Sequence, residues 1–257
     1  ARLLETRSVQ TNEVGRSAAL LVAFGLVAER FRRPLALIEI GCSAGLNLFF
    51  DRFHVDYGEA GRAGPADSPV RLACEVLGTA RPPIPSRPPE VVSRLGIDLS
   101  PVDVTDPAAT RWLESCVWPD TPHRVERLRA AVDLAGAEPP ELWTGNAADL
   151  VADAIALVPD DAVACLDATW VLAYLTQPDR DRLHATLDEL GATRPIAFVT
   201  AEYHGNAPWV PEPESPPTAS SHTSPTLLGL GVWDGGRTEH RPLAWVHPHL
   251  RWMEWIP

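Results

Sequence analysis

The stretch IEIGCSAGLNLFFDRF, residues 38–53, passes from an apolar segment into a turn bounded by glycines and then into a helical pattern. The apolar segment, Leu35 to Ile40, is nearly continuous, which is typical of a strand buried on both faces of a parallel sheet. The turn GCSAG, residues 41–45, fits two kinds of protein. Gly-x-Ser-x-Gly is the nucleophile elbow of α/β hydrolases, in which Ser43 would be the nucleophile. A glycine turn between a strand and a helix also binds nucleotide-like cofactors, and Ser43 would then have no chemical role.

Composition and charge exclude several classes of protein. The net charge of −12 disfavours nucleic acid as a partner, because phosphate binding requires a basic surface. All 22 basic residues are arginine, which excludes Schiff-base lysines and P-loop lysines. No apolar run approaches the roughly 20 residues that cross a bilayer, so we expect no membrane association. The four cysteines are scattered without a C-x-x-C pair, which predicts no metal centre, no disulfide framework and a cytoplasmic location.

Apolar strand-like segments alternate with helical patterns, which predicts one doubly wound α/β domain over residues 1–257. A helix is expected first, over residues 1–33, and ends at Pro34. Residues 54–94 are rich in glycine and proline, and we interpret them as an insertion packed on the domain. Residues 206–225 are rich in proline and serine, which predicts a mobile surface loop. Further strands are expected at 35–40, 95–99, 141–144, 162–166 and 195–200, and further helices at 45–53, 107–116, 124–136 and 179–190.

The chain ends with two apolar runs, residues 226–233 and 242–256, around the turn Asp234-Gly235-Gly236, which is a hairpin pattern. Rossmann-like methyltransferases that use S-adenosylmethionine (SAM) end with an antiparallel hairpin, whereas flavodoxin-like folds do not. The predicted fold class is therefore α/β, a doubly wound Rossmann-like sheet of the class I SAM-dependent methyltransferase type. Its strands are expected to be mostly parallel, with a C-terminal antiparallel hairpin.

Polar side chains are expected at the carboxyl ends of the parallel strands, where open α/β sheets bind ligands. Gly41 and Gly45 would let the backbone turn tightly beside the methionine moiety and the ribose of SAM. Asp98, at the end of the second strand, would accept hydrogen bonds from the ribose hydroxyls. Asn146, after the third strand, would bind the adenine amino group. Glu39 would lie near the sulfonium, where a negative charge suits a cation.

Ser43 also distinguishes between cofactors. A dinucleotide site requires glycine in this part of the turn so that the pyrophosphate can approach the backbone, whereas SAM has no phosphate. The turn therefore favours SAM over NAD. The candidate cofactor-binding residues are Arg16, Glu39, Gly41, Ser43, Gly45, Asn47, Asp98, Leu99, Asn146, Ala147 and Asp167. The candidate catalytic bases, for methyl transfer to a small-molecule acceptor, are Asp167, Tyr174, Glu202 and His204.

Simpler interpretations of these residues stay open. Asp98 precedes a predicted helix and would also serve as its cap. Asn146 would also serve the chemistry of a turn alone. Glu39 is harder to explain in this way, because an unpaired charge in a buried apolar strand is costly.

Two other functions stay open as well. A hydrolase would use Ser43, Asp167 and a late histidine such as His247, which stand in the required chain order. Its elbow would then follow the first strand, whereas nucleophile elbows follow several earlier strands, and Glu39 would have no role. A non-catalytic SAM-fold protein with a binding role is the other alternative.

Two long stretches, TRSVQTNEVGRSAALL (residues 6–21) and LALIEIGCSAGLNLFFDRFHVDYG (residues 35–58), carry a resemblance to a known family. Shorter stretches that share it are SPVRLACE, GIDLSPVDVTDP, WLESCVWPD, VLAYL and HPH. They resemble the bacterial domain-of-unknown-function family numbered 2332. This resemblance covers nearly the whole chain and implies the fold of class I SAM-dependent methyltransferases, with no established reaction. It also implies a further helical region upstream of residue 1.

The chain departs from the family's pattern at two positions. Asn146 stands where aspartate is usual, which keeps an acceptor for adenine but removes a charge. Leu250 stands where glycine is expected, which makes a tight turn after the HPH motif unfavourable.

A polar cluster precedes the apolar part of the first helix, formed by Arg7, Gln10, Asn12, Glu13 and Arg16. Asn12 and Arg16 are four residues apart and would share a helix face. Arg16 would then be placed to pair with the methionine carboxylate of SAM. The alternative is a solvated helix face without a ligand.

Overall fold

The computed structural model describes residues 9–118, 122–203, 205–214 and 226–257. His204, Arg7 and the second half of the predicted loop at 206–225 lie outside these ranges. No helix or strand forms in residues 205–214.

The strands of the described chain lie in one large and one small sheet. They are β1 (Leu35–Ile40), β2 (His54–Asp56), β3 (Arg62–Ala63), β4 (Arg71–Ala73), β5 (Glu75–Leu77), β6 (Val91–Asp98), β7 (Glu141–Thr144), β8 (Val163–Thr169), β9 (Ile196–Glu202), β10 (Thr226–Asp234), β11 (Arg237–Val246) and β12 (Trp252–Trp255). The large sheet has nine strands in the order β5-β12-β11-β10-β9-β8-β1-β6-β7.

The parallel half of the large sheet has the strand order of a Rossmann fold. β7, β6, β1, β8 and β9 are parallel neighbours, and in order of appearance along the chain they read 3-2-1-4-5. β10 runs antiparallel to β9, and β11 pairs antiparallel with β10 through the Asp-Gly-Gly turn. The predicted fold class, a mostly parallel doubly wound sheet closed by an antiparallel hairpin, is therefore confirmed.

Helices cover both faces of this sheet. They are α1 (Ser17–Phe31), α2 (Pro107–Ser115), α3 (Pro122–Ala137), α4 (Ala147–Ala156) and α5 (Gln177–Gly191), with short 3-10 helices at Val14–Arg16, Leu46–Arg52, Gly58–Ala60 and Leu172–Tyr174. One apolar core lies between the sheet and α1, and a second lies between the sheet and the α4–α5 pair. None of the helices in the described ranges is long and apolar enough to cross a membrane.

The predicted insertion contains a small sheet in the order β3-β2-β4. Its last strand, β5, instead joins the large sheet as a parallel neighbour of β12. The hydroxyl of Tyr57 donates a hydrogen bond of 2.7 Å to the carbonyl of Ala18 in α1, which ties the insertion to the core. The next strand, β6, begins at Val91, which is four residues earlier than the predicted start at residue 95.

The N-terminal helix begins later than predicted. The expected helix spans residues 1–33, but residues 9–13 are not helical, and α1 starts at Ser17 after a 3-10 turn. Glu13 caps that turn, because its side chain accepts a hydrogen bond from the amide of Gly15. The side chains of Gln10 and Asn12 bind backbone groups of neighbouring loops. These tertiary contacts replace the intrahelical hydrogen bonds that a longer helix would make.

Candidate functional site

The glycine turn after β1 has an unusual backbone. Gly41, Ser43 and Gly45 have φ angles of 68°, 52° and 66°, so three alternate residues are left-handed. The amide of Gly41 donates a hydrogen bond of 2.7 Å to the carbonyl of Ile97 in β6. A Cβ at position 41 would lie 2.3 Å from the side chain of Val171, so a larger residue at that position would require Val171 to shift. The turn is thus held tightly against the loops that follow β6 and β8.

Asp98 connects the second strand to this turn. It lies at the carboxyl end of β6, and its Oδ2 accepts a hydrogen bond of 2.8 Å from the amide of Ser43. Its Oδ1 accepts one of 2.8 Å from the amide of Ser100. The side chain of the next residue, Leu99, is 75% exposed. A half-buried carboxylate and an exposed apolar side chain therefore stand side by side at this edge of the sheet.

The segment formed by residues 9–13 lies across the glycine turn. The hydroxyl of Ser43 donates to the amide oxygen of Gln10 at 2.8 Å, and the amide nitrogen of Gln10 donates to the carbonyl of Ser100 at 2.7 Å. The buried Asn12 donates to the carbonyl of Cys42 at 3.0 Å and accepts from the amide of Leu46 at 3.3 Å. This contact was missed by the sequence analysis, which assigned these residues to a helix face.

The hydrogen bonds of Ser43 do not fit a nucleophile elbow. Such a serine is hydrogen-bonded to an imidazole, whereas the Ser43 hydroxyl contacts the amide of Gln10. The Nδ1 of His247 accepts a hydrogen bond of 2.9 Å from the amide of His249. Asp167 faces Glu39 on the neighbouring strand. The hydrogen bonds of the described residues therefore do not assemble Ser43, Asp167 and His247 into a triad.

Two buried carboxyl groups lie below the glycine turn. Glu39 of β1 and Asp167 of β8 are neighbours in register, and each is 2% exposed. β1 and β8 flank the point at which the strand order reverses, where open α/β sheets bind ligands. The Oε2 of Glu39 and the Oδ1 of Asp167 are buried without a hydrogen-bond partner among the described residues.

Burial controls the ionisation of this pair. It raises the pKa of Asp167 to about 8, and it raises the pKa of Glu39, with the nearby Asp167 as a second cause. Asn47 opposes the second shift, because its amide donates a hydrogen bond of 3.2 Å to Glu39. Asn47 is itself buried and accepts from the hydroxyl of Ser17 at 2.9 Å, so it orients Glu39 from below. The predicted role of Asn47 in cofactor binding stays a prediction.

Arg16 lies close to the carboxyl ends of β8 and β9. It donates a hydrogen bond of 2.7 Å to the carbonyl of Thr169, and its guanidinium lies 5.8 Å from the centre of the Trp170 ring. Burial lowers the pKa of Arg16, whereas the nearby charges of Glu13, Glu202 and Glu39 act to raise it. Arg16 thus brings a positive charge among several buried carboxyl groups.

The remaining predicted residues have varied surroundings. Asn146 caps α4, with its side-chain oxygen accepting from the amide of Ala148 at 3.0 Å, which is the simpler of its two predicted roles. Ala147 is buried beside it. Tyr174 is 87% exposed in the 3-10 turn after β8. Glu202 is buried at the end of β9, and His204 lies outside the described residues.

A second charged cluster was not predicted. Buried Glu13 lies 2.8 Å from Arg124, 2.8 Å from Arg127 and 3.0 Å from His249. Burial alone would raise the pKa of Glu13, but these three neighbours outweigh it and lower the pKa to about 2. The helical spacing of Arg124 and Arg127 was visible in the sequence, but their buried partner was not. The cluster anchors the segment that crosses the glycine turn.

His249 reaches this cluster through a turn that the sequence disfavoured. Leu250 has a φ of 49°, and its amide donates a hydrogen bond of 2.8 Å to the carbonyl of His247. The sequence made a tight catalytic turn at Leu250 unfavourable, and the structure nevertheless forms a tight turn there. Its side chain is buried in the main core, and this packing compensates for the left-handed backbone.

The fold and this edge of the sheet define a Rossmann-like α/β protein. Its site consists of a glycine turn after the first strand, Asp98 at the end of the second strand, and the buried carboxyl groups of Glu39 and Asp167. The chain belongs to the family of uncharacterized proteins conserved in bacteria, DUF2332, whose model matches residues 1–255. The family predicted from the sequence is thus confirmed. No curated protein matches the chain.

Solved structures to which the chain is similar include the plantazolicin methyltransferase BamL, in complex with a triazolic desmethylPZN analog and SAH. It is 10% identical with a TM-score of 0.35, and the similarity covers 74% of this chain and 47% of BamL. A structure of WbdD is 13% identical with a TM-score of 0.36, covering 89% of this chain and 42% of WbdD. A co-crystal of WbdD with the kinase inhibitor LY294002 is 12% identical with a TM-score of 0.39, covering 94% and 49%. The chain spans less than half the length of each of these structures.

Proposed function

We propose that this protein is a SAM-dependent methyltransferase that acts on a small-molecule acceptor. The observation that carries the proposal is the pairing of Asp98 with the amide of Ser43. It joins the end of the second strand to the glycine turn of the first, at the edge where Rossmann-like sheets bind nucleoside cofactors. The exposed side chain of Leu99 would cover one face of the adenine ring.

The donor and acceptor groups of this edge fit SAM. The partnerless oxygens of Glu39 and Asp167 would lie near its cationic end, where negative charge is favourable. The guanidinium of Arg16 would pair with the methionine carboxylate. Each oxygen of Asp98 holds one backbone amide and keeps a lone pair for a ribose hydroxyl.

When bound, the cofactor would supply an electrophilic methyl group to a nucleophilic atom of the acceptor and leave as S-adenosylhomocysteine. The chain's own residues would position the two molecules and accept the proton that the acceptor loses. The net charge of −12 supports a small molecule rather than nucleic acid as the acceptor.

A second candidate function is SAM binding without catalysis. Gln10 lies across the turn, where it bonds both Ser43 and Ser100, and such a contact serves ligand binding without requiring a catalytic step. A ligand at this edge would share or replace these bonds. Tight SAM binding without turnover on any acceptor would support this alternative.

Calorimetric titration with S-adenosylhomocysteine tests the proposal. The wild type should bind it, and D98N should bind at least tenfold more weakly, because a hydrogen bond to a charged group contributes about 1.5–3 kcal/mol. D103N is the matched control, since Asp103 lies in the same loop and its carboxylate accepts hydrogen bonds from the amide and hydroxyl of Thr105 rather than from the glycine turn. No binding to the wild type, or equal binding to D98N and D103N, would refute the proposal.

A further inference from the structure

Aromatic side chains lie around the carboxyl ends of β8 and β9. Trp170 directly follows β8, and Tyr203 directly follows β9. Their ring centres are 4.2 Å apart at an angle of 64°. The Tyr203 side chain is 38% exposed and Tyr174, four residues after Trp170, is 87% exposed. An aromatic surface therefore borders the proposed cofactor edge on the side of the later strands.

The backbone of Trp170 is strained to hold this arrangement. Its φ is 61°, which is rare for a bulky side chain. The amide of Trp170 donates a hydrogen bond of 2.9 Å to the carbonyl of Ala201 in β9. The loop is thus fixed to the neighbouring strand, and the indole ring is kept at the edge of the sheet. Strain of this kind concentrates at ligand-binding positions.

A buried carboxylate lies directly beside these rings. The Oε1 of Glu202 accepts hydrogen bonds from the amides of Val171 at 2.7 Å and Leu172 at 2.8 Å. Glu202 also lines a cavity of about 10 Å³ together with Thr200 and Tyr203. This volume holds roughly one water molecule, so it accepts a single oxygen atom but not a ring.

Glu202 is suited to hold a proton near neutral pH. Burial raises its pKa, the amides of Leu172 and Val171 and the charges of Arg16 and Arg180 oppose the shift, and the pKa is about 7. A carboxylate with such a pKa exchanges a proton readily at neutral pH. Arg16 also faces Glu39, so the cavity and the acid pair lie within the range of one charge.

We propose that this edge binds the methyl acceptor as a planar aromatic molecule that carries a hydroxyl group. The ring lies against Trp170 and Tyr203, and the hydroxyl enters the small cavity and donates a hydrogen bond to Glu202. Glu202 is then the group that accepts the hydroxyl proton. The identification of this ligand as the acceptor rests on the proposed function, whereas the aromatic site itself does not.

Saturation-transfer NMR with catechol tests the site. The control compound is cis-cyclohexane-1,2-diol, which also has two adjacent hydroxyl groups but has no planar aromatic ring. Catechol should bind the wild-type protein and the diol should not. W170L and Y203L should each bind catechol about tenfold more weakly, the loss expected for one stacking contact. W118L is the matched control, because Trp118 is an exposed indole elsewhere on the surface. Equal binding of catechol to W170L, Y203L and W118L, or equal binding of the two probes, would overturn the proposal.

The pH profile tests the role of Glu202. An ionised carboxylate is the stronger acceptor, so the affinity for catechol should rise as the pH passes through about 7 in the wild type. E202Q keeps an oxygen for the two amides and should give a flat profile, and a profile identical to that of the wild type would contradict the assignment.

S-adenosylhomocysteine titrations of the same variants separate the two proposals. Retained cofactor binding with no catechol binding to the wild type would overturn only the aromatic site, and catechol binding without cofactor binding would overturn only the proposed function.

Discussion

Glu13 is the residue whose environment differs most from its sequence-based interpretation. It was assigned to a polar helix face, yet it is buried and faces Arg124, Arg127 and His249. A charge in such a position is stable only while its partners remain. Its contribution to folding is therefore conditional on the whole cluster.

We predict that E13Q lowers the free energy of unfolding by about 3 kcal/mol, because it leaves buried Arg124 without a counter-charge. Because only the ionised form of Glu13 pairs with these cations, its contribution to the free energy of unfolding also depends on pH. The pKa of Glu13 in the folded protein is about 2, so its contribution is present above its ordinary value of 4.5 and is lost as the pH falls toward 2. Urea unfolding followed by circular dichroism measures both effects.

E239Q is the control for this prediction, because Glu239 pairs with Arg30 on the surface, where ion pairs contribute little. E239Q should leave the unfolding curve nearly unchanged. If E13Q is as stable as E239Q, the cluster does not anchor the segment that crosses the glycine turn.

Single residues were predictable from sequence where their burial was visible in their own strand. Glu39 interrupts an apolar strand, and its buried position follows from that fact alone. Gln10 and Asn12 were not predictable, because their partners, Ser43 and Cys42, are some 30 residues away and the spacing of the N-terminal segment is also compatible with a helix.

At the scale of the element, the glycine turn between the first strand and the following helical segment was predicted from the sequence, and the structure adds a second reason for glycine at position 41. Gly41 was assigned to the close approach of a cofactor. In the structure, the space beside its Cα is filled by Val171 from the loop after β8. Glycine at this position therefore also permits the close packing of two loops, and its role beside a cofactor stays a prediction. The sequence around residue 41 carries no information on its distant neighbour Val171.

We predict that G41A destabilises the protein by about 2–5 kcal/mol, as the sum of a left-handed alanine and a steric overlap. G58A is the matched control, since Gly58 has a similar φ of 63° and no atom within 4 Å of its added Cβ. G58A should cost only the backbone term, about 1–2 kcal/mol. The double variant G41A/V171A should recover part of the difference in urea unfolding, and equal stabilities of G41A and G58A would show that the overlap is relieved without cost.

At the scale of the whole molecule, the alternation of strands and helices was sufficient to predict the parallel sheet, since right-handed crossovers leave few arrangements. The pairing of β5 with β12 was not predictable, because it joins the insertion to the chain's last strand across more than half of the sequence. Short strands at a sheet edge have weak local patterns, and only the finished sheet selects their partners.

The protonation of the buried carboxyl groups of Glu39 and Asp167 couples folding to ligand binding. Because the pKa of Asp167 is raised to about 8, the folded chain holds more protons than the unfolded chain between about pH 4 and pH 8. The stability of the free protein therefore falls as the pH rises through this range, by up to about 1.4 kcal/mol per pH unit for one proton. A cation bound beside the pair has the opposite preference, because it favours the ionised carboxylates.

We therefore predict that the affinity for SAM relative to S-adenosylhomocysteine, which lacks the sulfonium charge, increases with pH until Asp167 is ionised at about pH 8. The increase should be at most about tenfold per pH unit if one proton is released. Calorimetric titrations of both ligands between about pH 6 and pH 9 measure this ratio. D167N cannot ionise at position 167, so it should lack the step near pH 8 that belongs to Asp167. D103N, an exposed acid in the loop after β6, should keep the wild-type profile. A ratio that is independent of pH in the wild type would mean that the sulfonium does not lie against this pair, whereas a ratio that follows Asp167 would place the reacting end of the cofactor where the strand order of the sheet reverses.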